Sequence, residues 1–431
     1  MKVSIIVHHW FFYSKKYFGN IDWIYSMISS THNFTAISLF TGAGGLDIGL
    51  ERAGFEVIST LEIDKICCET LCLNQAQQLT IHGGPRFHLQ STHIINNDIK
   101  KIQPQELAPT DTKVNCIFGG PPCQTFSSAG KMQSVFDERG TLFQEFVRMV
   151  DYWQPTTFLF ENVRGLVTAR GFDGKSGGVI KNILMAFENL GYSCRAGLLN
   201  AADYGAYQRR VRCFIIGVRH GMAPVFPEVT HTDMPINHNE NNDLFPELEK
   251  KSWQSLGAFL ETYADNDKTN WVYPTPELFE QLKRIASGSG LKSQGVIEKT
   301  RPGGHWGYRQ STFIADPKKP ARTVTGSTAQ DWIRLNDGTL RRLTFLEVKR
   351  LQGFPEQWSF CGSKAQQFKQ VGNAVPLIFG EMIGQTLIKY LKTYNPNLKP
   401  QKIPLPKRFE QYITYTEKEM ARNGVVRKPH V

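Results

Sequence analysis

The run Gly119-Gly120-Pro121-Pro122-Cys123-Gln124-Thr125-Phe126-Ser127 organises the chain. Before it stands Val114-Asn115-Cys116-Ile117-Phe118, short and mostly apolar, the pattern of a buried strand. Two glycines and two prolines then end that strand abruptly. Cys123 is therefore expected on a stiff turn at the carboxyl end of a strand, the edge where open α/β sheets hold ligands. A cysteine attacks only as the thiolate, and backbone N–H groups of a turn can favour that anion. A lone cysteine after a turn is more often a packing residue. Gly-Gly before it and a polar Gln-Thr-Phe-Ser loop after it argue for a site.

Working outward, Ala36–Phe40 reads as a strand, Thr41-Gly42-Ala43-Gly44-Gly45-Leu46-Asp47 as a glycine turn, and Ile48–Phe55 as the start of a helix. Strand, glycine turn and helix make the first unit of a nucleotide-binding α/β domain. The spacing is not the dinucleotide fingerprint, because its third glycine would fall on Asp47. That argues against a nicotinamide oxidoreductase. A second strand, Val57–Leu61, ends in Glu62-Ile63-Asp64, where a carboxylate can accept hydrogen bonds from ribose hydroxyls. Asn97-Asp98-Ile99 is a further acidic signal. Thr157–Phe160 is a strand leading into Glu161-Asn162-Val163, and Gln208-Arg209-Arg210-Val211-Arg212 precedes the apolar strand Cys213–Val218. Each carboxylate alone is more often a surface residue; suitable groups at successive strand ends are less often chance. Strand alternation places Arg210 and Arg212 on one side.

The chain has 431 residues, a net charge of +11 and 41% hydrophobic residues. With a mean hydropathy of -0.32 and a pI near 9.2, it reads as a soluble protein with a polyanionic partner, most simply nucleic acid. The 8 cysteines form no CxxC pair and no regular framework, which favours a reduced, cytoplasmic protein. Cys67, Cys68 and Cys72 are expected to pack in a helix rather than bind zinc, and no metal is expected anywhere. No apolar run reaches the ~18 residues of a spanning helix.

These motifs together resemble the C5-cytosine-specific DNA methyltransferase family of bacterial restriction-modification systems. GGPPCQTFSSAG is similar to its catalytic Pro-Cys motif and FTGAGGLDIGLERAGF to its S-adenosylmethionine motif. Glu161-Asn162-Val163, Gln208–Arg212, Arg341–Pro355 and Gln370–Pro376 follow in family order, so the resemblance covers about residues 36–218 and 341–391. It implies an α/β fold: a Rossmann-like S-adenosylmethionine-dependent methyltransferase domain with a smaller target-recognition domain. It implies S-adenosylmethionine as cofactor, bound by Phe40, Gly42, Gly44, Gly45, Leu46, Glu62, Ile63, Asp98 and Asn373. Cys123 would be the nucleophile, Glu161 the proton donor at the base, and Arg212 the group on the base oxygen with Arg210 as supporting cation. The substrate would be one cytosine flipped out of double-stranded DNA, with the protein a cytoplasmic monomer, associated with the bacterial nucleoid, that protects DNA from a cognate restriction enzyme without touching it.

Five segments are expected: an N-terminal extension over 1–34, a catalytic and cofactor domain over 35–220, a separate target-recognition domain over 221–340, a return over 341–395, and a loosely ordered basic tail over 396–431. Residues 1–26 match no motif; the extension reads either as a helix packed on the core or as an over-called start, and on the second reading translation from Met27 is expected to suffice. Gln370–Pro376 is expected to open the last long helix. Within 221–340, Arg301, His305, Arg309 and Gln310 on a glycine-rich loop, and the Thr323-Val324 pair, are the candidates for reading DNA. An RNA (tRNA) cytosine methyltransferase of the same fold and a non-catalytic DNA-binding relative are the rival readings. The intact nucleophile and glycine turn speak against the second.

Overall fold

Strand β1 (Phe34–Leu39) buries its four C-terminal residues, and the chain then turns through Gly42 and Gly44, both with positive φ, into helix α1 (Gly45–Ala53). The computed structural model describes residues 34–122, 142–171, 174–233, 250–291 and 312–422. After α1 come β2 (Phe55–Glu62), α2 (Lys65–Ala76), β3 (His93–Asn96) and β4 (Cys116–Gly119). Then follow α3 (Leu142–Trp153), β5 (Thr157–Val163), α4 (Gly178–Asn189), β6 (Ser193–Asn200) and β7 (Val211–Val218). The strands form one 7-stranded sheet in the order β3-β2-β1-β4-β5-β7-β6, with β7 antiparallel to both its neighbours. The order reverses between β1 and β4, which run parallel with Leu39 beside Gly119. A crevice opens beyond the carboxyl ends of strands at such a reversal. The glycine turn and the Pro-Pro turn leave the sheet there side by side.

One core cluster lies between the sheet and α3 and α4, built from Ile37, Ile117, Phe146, Phe158, Phe160, Ile183 and Phe187. α3 is apolar on one face: Phe146 and Val150 are spaced as one helical stripe and are buried with Met149. A second cluster joins α1 and α2 to the late helices α7 (Phe345–Leu351), α8 (Lys364–Asn373) and α9 (Leu377–Thr393). α9 lies against α1 so closely that a Cβ on Gly49 would sit 2.4 Å from the Leu377 carbonyl oxygen. The chain from 364 to 393 has the length and hydropathy of a membrane-crossing segment, but it breaks at Ala374–Pro376 and buries Phe379, Ile383 and Leu387. Gln370–Asn373 therefore closes α8 instead of opening the last helix. Proline cannot extend the α8 hydrogen-bond ladder, so a new helix starts at Leu377.

The insertion carries a 4-stranded sheet, β8 (Ser289–Gly290), β9 (Phe313–Ile314), β10 (Trp332–Arg334) and β11 (Leu340–Arg342), with helices α5 (Leu256–Tyr263) and α6 (Pro276–Leu282). It has a small core of its own, Leu282, Ile285, Ile314, Trp332 and Leu340. It is not separate, however. Leu256, Phe259, Ala315, Ala321, Val324 and Ile333 belong to the same cluster as α7, α8 and Trp358. Its sheet also runs past residue 340. Arg341 there is buried against Glu347, with contacts of 2.8 and 2.6 Å, and Glu347 also receives the Asp265 N–H at 3.1 Å. A planar guanidinium matched two-on-two to a carboxylate fixes orientation as well as charge.

The tail is likewise not loose. After Pro396 the chain follows the edge segment at Gly221, whose N–H donates to the Leu398 carbonyl at 3.2 Å, and then forms helix α10 (Lys407–Arg422). The alternation of apolar Phe409, Tyr412 and Ile413 with charged residues at helical spacing outweighs the prolines that suggested disorder. The extension over 1–33, and with it Met27, lies outside the described residues.

Candidate active site

The crevice begins at the end of β1. Phe40 has φ 56, in the left-handed region that a non-glycine residue occupies only where its surroundings demand it. Glu62, at the end of β2, shapes the glycine turn. Its carboxylate accepts the Gly42 N–H at 2.7 Å and the Asp64 N–H at 2.8 Å. Burial raises its pKa, and these backbone donors pull the other way. Each carboxylate oxygen keeps a lone pair for a further donor, which suits a ribose hydroxyl. Ile63 beside it is 66% exposed, an apolar side chain left uncovered at the mouth of the crevice. Asp98 lies beyond β3, the strand paired to β2, and accepts the Lys100 N–H at 3.0 Å. From the other side, Val375 reaches α1: a Cβ on Gly45 would meet its carbonyl at 2.6 Å. Asn373, exposed at the end of α8, stands at this junction. The structure thus brings Phe40, Gly42, Gly44, Gly45, Leu46, Glu62, Ile63 and Asn373 to one edge, with Asp98 at its flank. An acidic clamp beside an uncovered apolar side chain fits a nucleoside such as that of S-adenosylmethionine.

At the neighbouring strand end, the Gly-Gly-Pro-Pro turn and Glu161 are built as one piece. The Glu161 side chain crosses Gly120, where a Cβ would sit 2.5 Å from its carboxylate. Asn162 holds the turn from below, its side-chain amide donating to the Pro121 carbonyl at 3.2 Å. Arg212, on β7 directly opposite Val163, places its Nε 3.1 Å from the Glu161 carboxylate. Burial raises the Glu161 pKa, with Arg212 and then Arg210 opposing the rise. Burial thus favours the acid form of this carboxyl, and the two arginines favour the carboxylate. The described chain reaches Pro122, so Cys123 itself lies just outside the described residues.

Arg210 does not share the Arg212 face. Its side chain is fully buried and donates to the Val324 carbonyl at 2.7 Å and the Gly372 carbonyl at 2.8 Å. β7 begins only at Val211, so strand alternation does not extend back to Arg210. Gln208 completes the joint, donating to the Leu351 carbonyl at 2.7 Å and to the Gln352 side chain at 2.6 Å. Thr323 and Val324 belong to the same joint. The Thr323 hydroxyl donates to the Arg209 carbonyl at 2.7 Å, and the Val324 side chain is buried. Val324 thus faces the protein core. Arg301, His305, Arg309 and Gln310 lie outside the described residues.

Sequence reasoning gave no role to Asn162 or Gln208, although both stand inside motifs it singled out. It also passed over Asp47. This side chain is fully buried, neither carboxylate oxygen has a hydrogen bond of good geometry, and burial pushes its pKa up to about 8 from 3.8. The neighbouring Ser38 hydroxyl offsets part of that rise, while Glu51 adds to it. A raised acid pKa means that folding holds a proton the unfolded chain releases above pH 3.8. Stability from this group is therefore lost as pH climbs from about 4 to about 8. Asp47→Asn should raise the melting temperature at pH 8, with the gain shrinking to nothing near pH 4; thermal denaturation across that range checks it.

A sheet of this order, with an acidic clamp after its second strand and a proline turn facing a buried carboxyl after its fourth and fifth, defines the class of Rossmann-like S-adenosylmethionine-dependent methyltransferases. Within that class, residues 34–389 match the C-5 cytosine-specific DNA methylase family, and the chain belongs to it. It is 32% identical over 389 residues to the Type II methyltransferase M1.HphI of Haemophilus parahaemolyticus, covering 89% of this chain and 93% of that protein. It is also 32% identical over 352 residues to the Type II methyltransferase M.FnuDI of Fusobacterium nucleatum, covering 81% and 93%. Among solved structures, a putative DNA modification methyltransferase encoded within an E. coli prophage shares the fold, with a TM-score of 0.55, 23% identity, and coverage of 84% of this chain and 100% of that one.

Proposed function

We propose that the protein is a DNA (cytosine-5-)-methyltransferase that modifies one cytosine within a short double-stranded site, in the manner of a restriction-modification enzyme. The observation that carries this reading is the buried Glu161–Arg212 pair facing the Pro-Pro turn that leads into Cys123. Cytosine C5 is a poor nucleophile within an aromatic ring. Addition of the Cys123 thiolate to C6 breaks the aromaticity and makes C5 enamine-like. The negative charge pushed into the ring collects at N3 and O2. Glu161 gives its proton to N3, and Arg212 holds O2. S-adenosylmethionine, when bound, supplies the methyl group that C5 takes up. A solvent base takes the C5 proton, the Cys123 sulfur departs as thiolate, and the N3 proton returns to the Glu161 carboxylate, which restores the ring. Glu62 and Asp98 orient the cofactor's ribose and adenine, with Ile63 against the adenine face. A paired base cannot reach this turn, so the cytosine has to leave the stack, at a cost of a few kcal/mol.

Transfer of labelled methyl from S-adenosylmethionine to duplex DNA and to tRNA, compared directly, tests the reading. Modification of tRNA alone would replace it with the RNA enzyme. Methylation-sensitive sequencing of DNA from expressing cells then gives the site. Site choice is assigned to the insertion over 221–340, because the catalytic residues touch only cofactor and one base. Replacing 221–340 by the corresponding segment of a relative should transfer that relative's site, whereas an active chimera that keeps the original site rejects the assignment. Because Thr323 and Val324 form part of the shared joint, the graft has to keep the contacts of Arg209 and Arg210 with that stretch.

A further inference from the structure

Helix α10 lies beyond the 34–389 family match, yet it is seated on the part of the catalytic domain that follows Glu161. β5 ends at Val163 and passes directly into a short helical turn, Arg164–Thr168. Leu166 and Val167 of that turn are buried in the same core cluster as Phe409 of α10, which is 1% exposed. Ile413, one helical turn further on, covers Gly177, the residue that starts α4. Gly177 has φ +77, and a Cβ there would lie 2.4 Å from the Ile413 side chain. The fit is specific: the helix closes over a position that admits only glycine on both steric and backbone grounds.

The same helix reaches a second place. Arg408 is close enough to Asp203 for its charge to oppose the rise that burial causes in that carboxyl's pKa. Asp203 anchors the first stretch of the insertion. Its carboxylate accepts from Trp253 Nε1 at 3.0 Å and from Asn200 Nδ2 at 3.2 Å, and its carbonyl accepts the Thr230 N–H at 3.0 Å. α10 therefore packs on the segment behind the catalytic carboxyl, and its Arg408 charge is felt at the anchor of the insertion.

We propose that α10 is a positioning brace for the proposed methyl transfer, holding the 164–168 turn against the core so that Glu161 stays buried at the Pro-Pro turn. The inference rests on the role assigned to Glu161 above. The titratable and charged groups that act on Glu161 are Arg212, in contact with it from β7, Arg210, whose charge reaches it from just before that strand, and the buried Cys213 thiol on the other face of β7, whose own titration Glu161 disfavours. Both arginines lower the Glu161 pKa, so burial alone keeps it raised. If α10 lifts, the turn behind Glu161 loses its cover and water reaches the carboxyl. Its pKa then falls, and the acid form needed at N3 is lost at lower pH.

The test uses the full chain with Ile413→Ala, Phe409→Ala and the milder Ile413→Val. Single-turnover methyl transfer at saturating cofactor and DNA should drop roughly three- to tenfold in the alanine variants, as for a small misplacement of a catalytic group. The alkaline limb of the rate profile should move to lower pH, cofactor affinity should be unchanged, and Ile413→Val should recover most of the rate. All measurements belong at a temperature where each variant is folded, and Ile413→Val serves if an alanine variant does not fold. A lowered melting temperature with an unmoved rate and unmoved alkaline limb overturns the brace and leaves α10 a stabilising element only. The failure of the underlying reading is separate: it would show as full activity of Glu161→Gln in the wild-type background.

Discussion

Cys123→Ser should lose methyl transfer by on the order of 10³-fold or more, while DNA and S-adenosylmethionine still bind. A serine hydroxyl is scarcely ionised at neutral pH, so it lacks the thiolate character that addition to C6 demands. The turn that presents the residue is independent of the sulfur: Asn162 holds Pro121, and Glu161 lies across Gly120, both upstream of position 123. Binding should therefore survive the substitution. A second measurement isolates the covalent step. Duplex DNA carrying 5-fluorocytosine has no C5 proton to lose, so the wild-type protein should remain attached through Cys123 after denaturation, and the serine variant should not. Normal turnover by Cys123→Ser would remove the nucleophile assignment.

Much of this arrangement was legible in the sequence because it is local. A strand, a glycine turn and a carboxylate at the next strand end are written within 36–62, and the structure closes them with a bond from Gly42 to Glu62. The Pro-Pro turn and Glu161 were legible for the same reason, each being a strand end. What could not be read depends on partners far away in the chain. Arg210 was expected to support Arg212 from the same strand face, and nothing nearby in the sequence says that its acceptors are carbonyls 114 and 162 residues further on. A buried guanidinium needs hydrogen-bond acceptors, and these two backbone carbonyls receive its terminal N–H groups. The insertion looked separate because the composition shifts near residue 221. Yet Leu256, Phe259 and Val324 pack into the late-helix cluster, which only the three-dimensional return of the chain creates. The tail misled by its prolines and lysines. Phe409 and Ile413 stand four residues apart, and that short-range signal carried the real information.

Glu161→Gln separates proton donation from the other duties of this carboxyl. The amide has the same shape, keeps a donor that can point at N3, and leaves the turn at Gly120 undisturbed. It cannot give up a proton, so the ring charge created by thiolate addition goes unneutralised. Loss of one such group in a water-poor site costs about 10²–10³-fold in rate. The pH profile carries the diagnostic. In the wild type, burial holds the Glu161 pKa above the ordinary carboxylate value, so the acid form persists into a range where an exposed glutamate is ionised. The wild-type rate should fall as pH rises through that folded value, whereas the residual rate of Glu161→Gln should show no such limb. Cofactor affinity should change little, since Glu161 faces Arg212 and the Pro-Pro turn rather than the glycine turn. Glu62→Ala should behave in the opposite way. It removes the acceptor for the Gly42 and Asp64 N–H groups and weakens S-adenosylmethionine binding first. A cofactor titration in which Glu161→Gln loses affinity while Glu62→Ala does not would exchange the two roles, and with them the direction in which the substrate base enters the crevice.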